Sequence, residues 1–297
     1  MYSKPDRSLL EDSMYTTLIA PADLASHLDD PNWIVLDCRH DLMNLAAGRE
    51  SYASAHIRGA QFADIETDLS GKKMNAEGAF RGRHPLPERA EFIDTLRGWG
   101  INPGTQVVAY DAHGGMFAAR LWWLLRWVGH SAVAVLDGGL AAWSAQGLPM
   151  SFDAPVRARG TIAEGTPLGA TVSAKDVLDN IGSAAKVVVD ARAADRFRGE
   201  NETMDPVGGH IPGAKNRFFK DNLQADGSFK SAAQLKADFA PLVADPAQAI
   251  MQCGSGVTAC HNLLALEVAE MPGAALYPGS WSDWCADPAR PVARGAD

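Results

Sequence analysis

The chain has 297 residues, a length at which proteins usually form two domains of ~100–200 residues each. Hydrophobic residues make up 46% of it and charged residues 21%, which provides for buried cores and excludes an intrinsically disordered chain. The formal net charge of −9 argues against binding to nucleic acids. A small anionic substrate would therefore need a local group of arginines or backbone N–H groups.

The apolar runs are too short for a membrane span. The most hydrophobic stretch, 121–128, contains Arg126 and falls short of the ~20 apolar residues that a bilayer requires. The first twelve residues are polar and lack the apolar core of a signal peptide. We therefore expect a soluble cytoplasmic protein that binds neither membranes nor nucleic acids.

The chain repeats itself once. Five landmarks recur in the same order, pairing 20–24 with 173–177, 33–39 with 186–192, 56–60 with 210–214, 106–111 with 248–253, and 136–143 with 276–284. Such self-similarity predicts tandem copies of one fold. We predict a first domain at 1–150, a Pro- and Gly-containing linker at 151–170, and a second domain at 171–297.

Each copy alternates short apolar runs with helical patterns. In the first copy we predict strands at 34–37, 107–110 and 133–136 and a helix at 117–128. In the second copy we predict a helix capped by Ser173 that reaches Ile181, strands at 187–190 and 250–252, and a helix at 258–269. Alternating strands and helices predict an α/β fold, with a parallel sheet flanked by helices in each domain.

Some features are shared by both copies. Asp37 and Arg39 recur as Asp190 and Arg192, and a histidine begins the 56–60 and 210–214 segments. A feature present in both copies is better explained by structure than by catalysis. We expect an ion pair at the end of a strand in each half.

A glycine-rich loop carries the strongest chemical signal. Cys253-Gly-Ser-Gly-Val-Thr258 lies between a predicted strand and a predicted helix, where ligands of α/β sheets collect. Gly254 and Gly256 let backbone N–H groups converge, and the helix N-terminus favours an anion at the same point. A cysteine placed there would be a stabilised thiolate and a nucleophile.

The alternative for this loop is a buried cysteine before an ordinary turn. The first copy has Asp111-Ala-His-Gly-Gly115 at the equivalent place, and an aspartate cannot perform thiolate chemistry. Only the second copy is therefore expected to be catalytic. The other cysteines, Cys38, Cys260 and Cys285, read as ordinary thiols, and because no C-x-x-C pair is present we expect no metal and no cofactor.

The repeat and the Cys253–Thr258 loop resemble the two-domain rhodanese-like sulfurtransferases. Within that family, Cys-Gly-Ser-Gly-Val-Thr is similar to the loop of the 3-mercaptopyruvate sulfurtransferases, whereas thiosulfate sulfurtransferases have a more basic loop. The resemblance covers about residues 18–284. It implies two rhodanese-like domains, of which the second is active, and a persulfide intermediate on Cys253. The sulfur acceptor would be cyanide or a thiol.

The resemblance also implies roles for further residues. Gly254, Gly256, Val257 and Thr258 would hold the sulfur anion, although Thr258 also reads as a helix N-cap. His84, in front of Leu86-Pro87, would work with Ser255 and an acid in a proton relay. The position of the acid in the family falls nearest Glu66, flanked by Asp64 and Asp68, and we assign Asp64 as the candidate.

Donor binding requires a cation. The resemblance implies that Arg196 binds the anionic donor, while Arg198 reads as a surface charge. The second arginine usual in mercaptopyruvate enzymes is missing from 200–209, so Arg83 or Lys215 is left as a substitute.

Three other functions remain open. They are a thiosulfate sulfurtransferase, a cysteine phosphatase and a non-catalytic binding module. The phosphatase is disfavoured because position 259 is alanine where its Cys-x5-Arg loop requires arginine. One chain could act as a monomer, with the site between its halves.

Overall fold

The computed structural model describes residues 14–183 and 185–296. The first half contains the strands β1 (Leu18–Ile19), β2 (Trp33–Asp37), β3 (His56–Ile57), β4 (Gln61–Phe62), β5 (Gln106–Tyr110), β6 (Val133–Leu136) and β7 (Met150–Ser151). Its helices are α1 (Pro21–Ser26), α2 (Ala47–Ser54), α3 (Arg89–Gly98), α4 (Ala118–Trp127) and α5 (Gly139–Ala145).

The second half repeats this pattern. Its strands are β8 (Ala170–Thr171), β9 (Val187–Asp190), β10 (Lys215–Asn216), β11 (Ala249–Gln252) and β12 (Ala275–Leu276). Its helices are α6 (Ala174–Ser183), α7 (Ala194–Arg198), α8 (Ala232–Phe239), α9 (Thr258–Val268) and α10 (Ser280–Trp284), with 3₁₀ turns at Phe219–Asn222 and Pro246–Gln248.

The two halves have the same sheet topology. The first sheet has the order β1-β6-β5-β2-β4 and the second β8-β12-β11-β9-β10, and every pairing within both sheets is parallel. The equivalent central strands are β5 and β11, so the carboxyl end of β11 is the place where the topology predicts a ligand of the second sheet. The predicted α/β fold of two tandem domains is confirmed.

The central strands formed where the apolar runs predicted them. β5 and β11 are buried along their whole length, as strands covered on both faces must be. The cap of α6 is also confirmed, because the hydroxyl of Ser173 accepts a hydrogen bond from the backbone N–H of Asp176 at 3.2 Å.

The predicted linker is attached to the first half. Between β7 and β8 the described chain, 152–169, has neither helix nor strand. The N–H of Ile162 donates to the carbonyl of Ile101 at 3.1 Å, and the N–H of Gly165 donates to that of Val128 at 2.8 Å. Its buried Ile162 side chain belongs to the main core. The segment therefore lies along the first sheet's helices.

The largest hydrophobic core crosses between the halves. Helix α4 of the first half packs against α9 of the second, and their buried leucines belong to one cluster. Arg126 and Glu267 add an ion pair between the two helices at 3.1 Å. The halves thus share a core, which brings the loop before α9 against the first half.

The shared Asp-x-Arg landmarks form the predicted ion pairs. In both halves the Asp-x-Arg segment forms a buried ion pair at the strand end, with 2.6 Å between Nη2 of Arg39 and Oδ2 of Asp37, and 2.6 Å between Nη2 of Arg192 and Oδ2 of Asp190.

No described helix combines the length and the apolar character needed to cross a bilayer.

Candidate active site

Cys253 lies at the carboxyl end of β11, in the loop that leads into α9. The N–H of Trp281 donates to its carbonyl at 2.9 Å, and its own N–H donates to the hydroxyl of Ser280 at 3.1 Å. Gly256 has a φ of +77°, and a Cβ added there would lie 2.3 Å from the carbonyl oxygen of Pro278. The loop path therefore requires glycine at this position.

The backbone N–H groups of this loop are left free. Although the loop is buried, the N–H groups from Gly254 to Thr258 donate to no acceptor among the described residues. Buried N–H groups are nearly always paired, so a run of unpaired ones marks a place built for an anion from outside the protein. The expectation that Thr258 is the N-cap is wrong. Val257 holds that position, and no side chain caps the helix.

The equivalent loop of the first half shows what such N–H groups do. The carboxylate of Asp111 accepts bonds from the N–H groups of His113, Gly115, Phe117 and Ala118, at 2.7–3.0 Å. The first loop is thus an anion cradle filled by its own side chain. In the second half the shorter Cys253 replaces Asp111 and leaves the cradle open.

A small cavity lies in front of Cys253. Its volume is about 140 Å³, below the roughly 300–1,000 Å³ of drug-sized pockets, so it suits a ligand of a few heavy atoms. Cys253, Ser255, Val257 and Thr258 line it together with Arg192, Arg196 and the first half's Arg83. Apolar walls come from Leu42, Met116, Phe117, Phe218 and Phe219.

A histidine from the first half reaches the catalytic loop. Nδ1 of His84 lies 2.8 Å from Oγ of Ser255, and its Nε2 lies 2.7 Å from Oε1 of Glu66. The three side chains form a chain of hydrogen bonds that crosses from one half to the other. The predicted pairing of His84 with Ser255 is present in the geometry.

The acid in contact with His84 is Glu66 and not Asp64. The Asp64 carboxylate turns back to accept the N–H of Glu66 at 2.9 Å and lies 3.4 Å from Arg49, so it is occupied within its own turn. The assignment of Asp64 as the partner of His84 is therefore corrected. The turn that Asp64 closes presents the longer Glu66 side chain to the histidine.

These contacts fix the proton positions. An ionised Glu66 can only accept, so Nε2 of His84 carries a hydrogen and Nδ1 of the neutral ring accepts from the Ser255 hydroxyl. Burial lowers the pKa of His84 below its ordinary 6.5, which favours this neutral form, while Glu66 acts in the opposite direction. The hydrogen bond from His84 lowers the pKa of Glu66 to about 2.

Arginines make the other side of the cavity cationic. Arg196 donates to both carboxylate oxygens of Glu202, at 2.8 and 2.9 Å from Nη2, and Arg83 pairs with Asp205 across the two halves. A Cβ on Gly254 would lie 2.8 Å from Nη2 of Arg83 and 3.6 Å from Nη2 of Arg196, so both guanidinium groups stand over the loop. Nε of Arg83 is buried without a partner.

The other candidate cations lie elsewhere. Lys215 is exposed on β10 and does not line the cavity, so of the two suggested substitutes only Arg83 reaches the site. Arg198 pairs with Glu200 at 2.7 Å, in agreement with a surface charge. All four cysteines are free and buried, and no described group of His, Cys, Asp and Glu side chains could hold a metal ion.

The comparison with known proteins decides the family. The rhodanese-like domain family matches residues 20–146 and again 173–287. The chain belongs to the rhodanese-like family. It is 44% identical to a probable 3-mercaptopyruvate sulfurtransferase of Pseudomonas aeruginosa, over 94% of this chain and 98% of the relative. It is also 36% identical to a putative thiosulfate sulfurtransferase of Mycobacterium tuberculosis, over 94% of this chain and 97% of the relative.

Solved structures of the rhodanese-like family agree. The 3-mercaptopyruvate sulfurtransferase of Escherichia coli superposes with a TM-score of 0.76 at 32% identity, over 90% of this chain and all of that one. The fold and the order of the two domains are therefore those of characterised family members.

Sequence reasoning placed the acid nearest Glu66 but assigned Asp64, and it missed Arg120. Glu66 lay within the segment that the resemblance singled out, but the direction of a side chain in a turn is not visible in the sequence. Arg120, whose guanidinium bonds the carbonyls of Gly256 and His84, left no signal because it lies in an apolar run, 117–128, and is typical of helix packing.

Proposed function

We propose that this rhodanese-like protein is a sulfurtransferase that moves a sulfur atom from 3-mercaptopyruvate to a thiophilic acceptor through a persulfide on Cys253. The observation that carries the proposal is the open cradle of unpaired N–H groups around Cys253, where the first half places the carboxylate of Asp111. A persulfide anion has its charge on the outer sulfur, one bond beyond Sγ, and the carboxylate oxygens of Asp111 are likewise one bond beyond Cγ. The negative charge is therefore the same number of bonds from the backbone in both loops.

The first half-reaction forms the persulfide. Cys253 gives its thiol proton through Ser255 to His84, and Glu66 stabilises the resulting imidazolium. The thiolate attacks the donor sulfur, the carbon–sulfur bond breaks, and its electron pair leaves on carbon as the enolate of pyruvate. The proton returns through Ser255 to that carbon, so the products are pyruvate and the Cys253 persulfide.

The second half-reaction empties the site. Cyanide or a thiolate attacks the outer sulfur, the sulfur–sulfur bond breaks, and the electron pair returns to Cys253 as a thiolate. The N–H groups from Gly254 to Thr258 stabilise the sulfur anions of both steps. We propose that the acceptor, like the donor, is a small anion, because the cavity admits only a few heavy atoms.

The donor carboxylate belongs between Arg196 and Arg83. Each guanidinium keeps donors that are not used by Glu202 or Asp205, and a carboxylate can take two parallel N–H bonds from one arginine. We propose that Arg83 of the first half takes the place of the arginine missing from 200–209.

We also propose that the chain acts in the cytoplasm as a monomer. Its first domain would be 1–150, its linker 151–170 and its catalytic second domain 171–297.

The second candidate is transfer from thiosulfate. It is favoured by the relatives named as thiosulfate sulfurtransferases, whereas Asp205, a carboxylate beside the site, opposes a doubly charged donor. Steady-state kinetics with each donor at a fixed cyanide concentration separates the two. A kcat/KM at least tenfold higher with 3-mercaptopyruvate supports the proposal, and the reverse ratio assigns the enzyme to thiosulfate.

A further inference from the structure

Arg120 is a fully buried arginine between the two halves of the chain. Its side chain lies on α4, is 0% exposed, donates to four backbone carbonyls and also contacts the thiol of Cys260. Nη1 bonds the carbonyl of Gly256 at 3.0 Å, and Nη2 bonds that of His84 at 3.0 Å. The remaining bonds go to the carbonyls of Leu69 and Pro85, at 3.2–3.3 Å.

The positive charge of Arg120 has no carboxylate partner among the described residues. Arg126, on the same helix, instead pairs with Glu267 at 3.1 Å. Burying an unpaired charge is costly, and carbonyls satisfy its hydrogen bonds without neutralising it. Burial lowers the pKa of Arg120, while Cys260 and Cys253, the acidic groups close to it, act to raise it. Burial raises the pKa of Cys260 to about 12 and keeps it a neutral thiol, so Cys253 is the nearby group whose anion this cation can stabilise.

The bond to Gly256 orients the cradle. In a trans peptide the carbonyl and the next N–H point in opposite directions, so fixing the Gly256 carbonyl on Arg120 directs the N–H of Val257 away from the guanidinium. Val257 lines the cavity in front of Cys253, whereas Arg120 does not. The thiol of Cys260 donates to the same carbonyl at 3.3 Å and reinforces this orientation.

The bond to His84 orients the proton relay. Arg120 holds the backbone of His84 with the same nitrogen that bonds Leu69 and Pro85, and its other terminal nitrogen holds the loop that carries Ser255. One rigid guanidinium thus sets the distance between the first half's histidine and the second half's serine. A lysine, with one nitrogen, could not span these carbonyls.

We propose that Arg120 of the non-catalytic half is a positioning residue and the buried counter-cation of the Cys253 sulfur anion. It touches neither donor nor acceptor. It keeps the N–H groups of the loop directed at the sulfur, and it keeps His84 in register with Ser255. The inference rests on the proposed chemistry at Cys253.

The test compares Arg120→Gln and Arg120→Lys with the matched control Arg126→Gln in the full chain. The rate at which iodoacetamide alkylates Cys253 is followed against pH by mass spectrometry of its peptide, and kcat and KM are measured with the preferred donor. We expect Arg120→Gln to slow the alkylation of Cys253 at neutral pH about tenfold, because the loop N–H groups are no longer held toward the sulfur. We also expect kcat to fall at least tenfold with KM within about twofold.

Arg120→Lys keeps the charge but not the set of bonds. We expect the rate at which its Cys253 is alkylated at neutral pH to lie between those of the wild type and Arg120→Gln, while kcat falls. Superposition of the Arg120→Gln profile on that of Arg126→Gln would overturn the proposal. If Arg120→Gln does not fold, wild-type kcat in Arg120→Lys would overturn it. Alkylation needs no sulfur transfer, so absence of a persulfide on wild-type Cys253 would refute the proposed function separately.

Discussion

Asp111 and Cys253 begin equivalent loops, and the bonding of the first explains what the second lacks. The Asp111 carboxylate takes up four loop N–H groups, whereas those around Cys253 face a cavity. Hydrogen bonds to a charged acceptor contribute about 1.5–3 kcal/mol each, so the open cradle is a local instability in the resting protein. The bound sulfur anion removes it.

Filling the cradle should therefore stabilise the fold. We expect Cys253→Asp to abolish sulfur transfer and to raise Tm by about 5 °C over Cys253→Ser, because a carboxylate would take the N–H bonds as Asp111 does. Differential scanning calorimetry measures the shift. Cys253→Asn has the same shape as Cys253→Asp without the charge. If the two variants have the same Tm, the loop N–H groups do not stabilise a negative charge, and the cradle is refuted.

The assignment of the acid is tested by a pair of variants. Glu66→Gln should lower kcat about 100-fold, because the carboxylate that stabilises protonated His84 is lost. Asp64→Asn should leave kcat within a few fold, because Asp64 contacts its own turn. Steady-state turnover of both variants decides between them, and the opposite ranking would restore Asp64.

The hydrogen-bonded chain of Glu66, His84 and Ser255 also predicts how kcat falls at low pH. His84 accepts a proton only when neutral, and burial places its pKa below 6.5, so kcat should hold at neutral pH and fall only as the pH drops below 6.5. Glu66 acts to raise that pKa, so the limb of Glu66→Gln should lie at still lower pH. A pH–rate profile that already declines above 6.5 would contradict the neutral relay.

At the scale of the element, the loop between β11 and α9 depends on one glycine. We expect Gly256→Ala to lose most activity, since its positive φ and the Pro278 carbonyl both exclude a Cβ. Gly227→Ala is the matched control, because Gly227 has a φ of +85° and no atom within 4 Å of the added Cβ. Both variants carry the strain of an alanine at positive φ, about 1–2 kcal/mol, and only Gly256→Ala should also displace the Cys253 loop. Turnover and calorimetry of both variants separate the two effects. Equal losses of activity and of stability in Gly256→Ala and Gly227→Ala would contradict this requirement for glycine at position 256.

The central strands could be predicted from the sequence itself, whereas the pairing of His84 with Ser255 was expected only through the family resemblance and the other contacts between the halves were not expected. β5, β6, β9 and β11 are buried on both faces and therefore appear as uninterrupted apolar runs. The two-residue strands β1 and β12 leave no comparable pattern. Cys253 and Ser255 were visible because glycine spacing is local. The direction of the Glu66 side chain depends on its turn, and the contacts of Arg83 and Arg120 with the Cys253 loop depend on how the domains dock, which no spacing encodes.

At the scale of the molecule, the shared core makes the two domains one folding unit. Buried leucines of α4 and α9 meet in one cluster, so unfolding either half exposes the other. We expect a single calorimetric transition for the full chain. Leu125→Ala, in α4, should move the whole transition down, with a cost of about 2–5 kcal/mol. Two resolved transitions, of which only one shifts, would contradict this.

The shared core also explains how the first half takes part in the site. His84, Glu66, Arg83 and Arg120 all come from the first half, and each reaches the Cys253 loop or the chain bonded to it. The second half supplies the cysteine and the cradle. The site is complete only when both halves are docked.

The most direct measurement is the mass of the Cys253 peptide after the full-length protein is incubated with 3-mercaptopyruvate and no acceptor. The account predicts a gain of one sulfur atom on that peptide, its loss when cyanide is added, and no gain in Cys253→Ser. An unchanged peptide mass while pyruvate is released, or sulfur found on another cysteine, would contradict it.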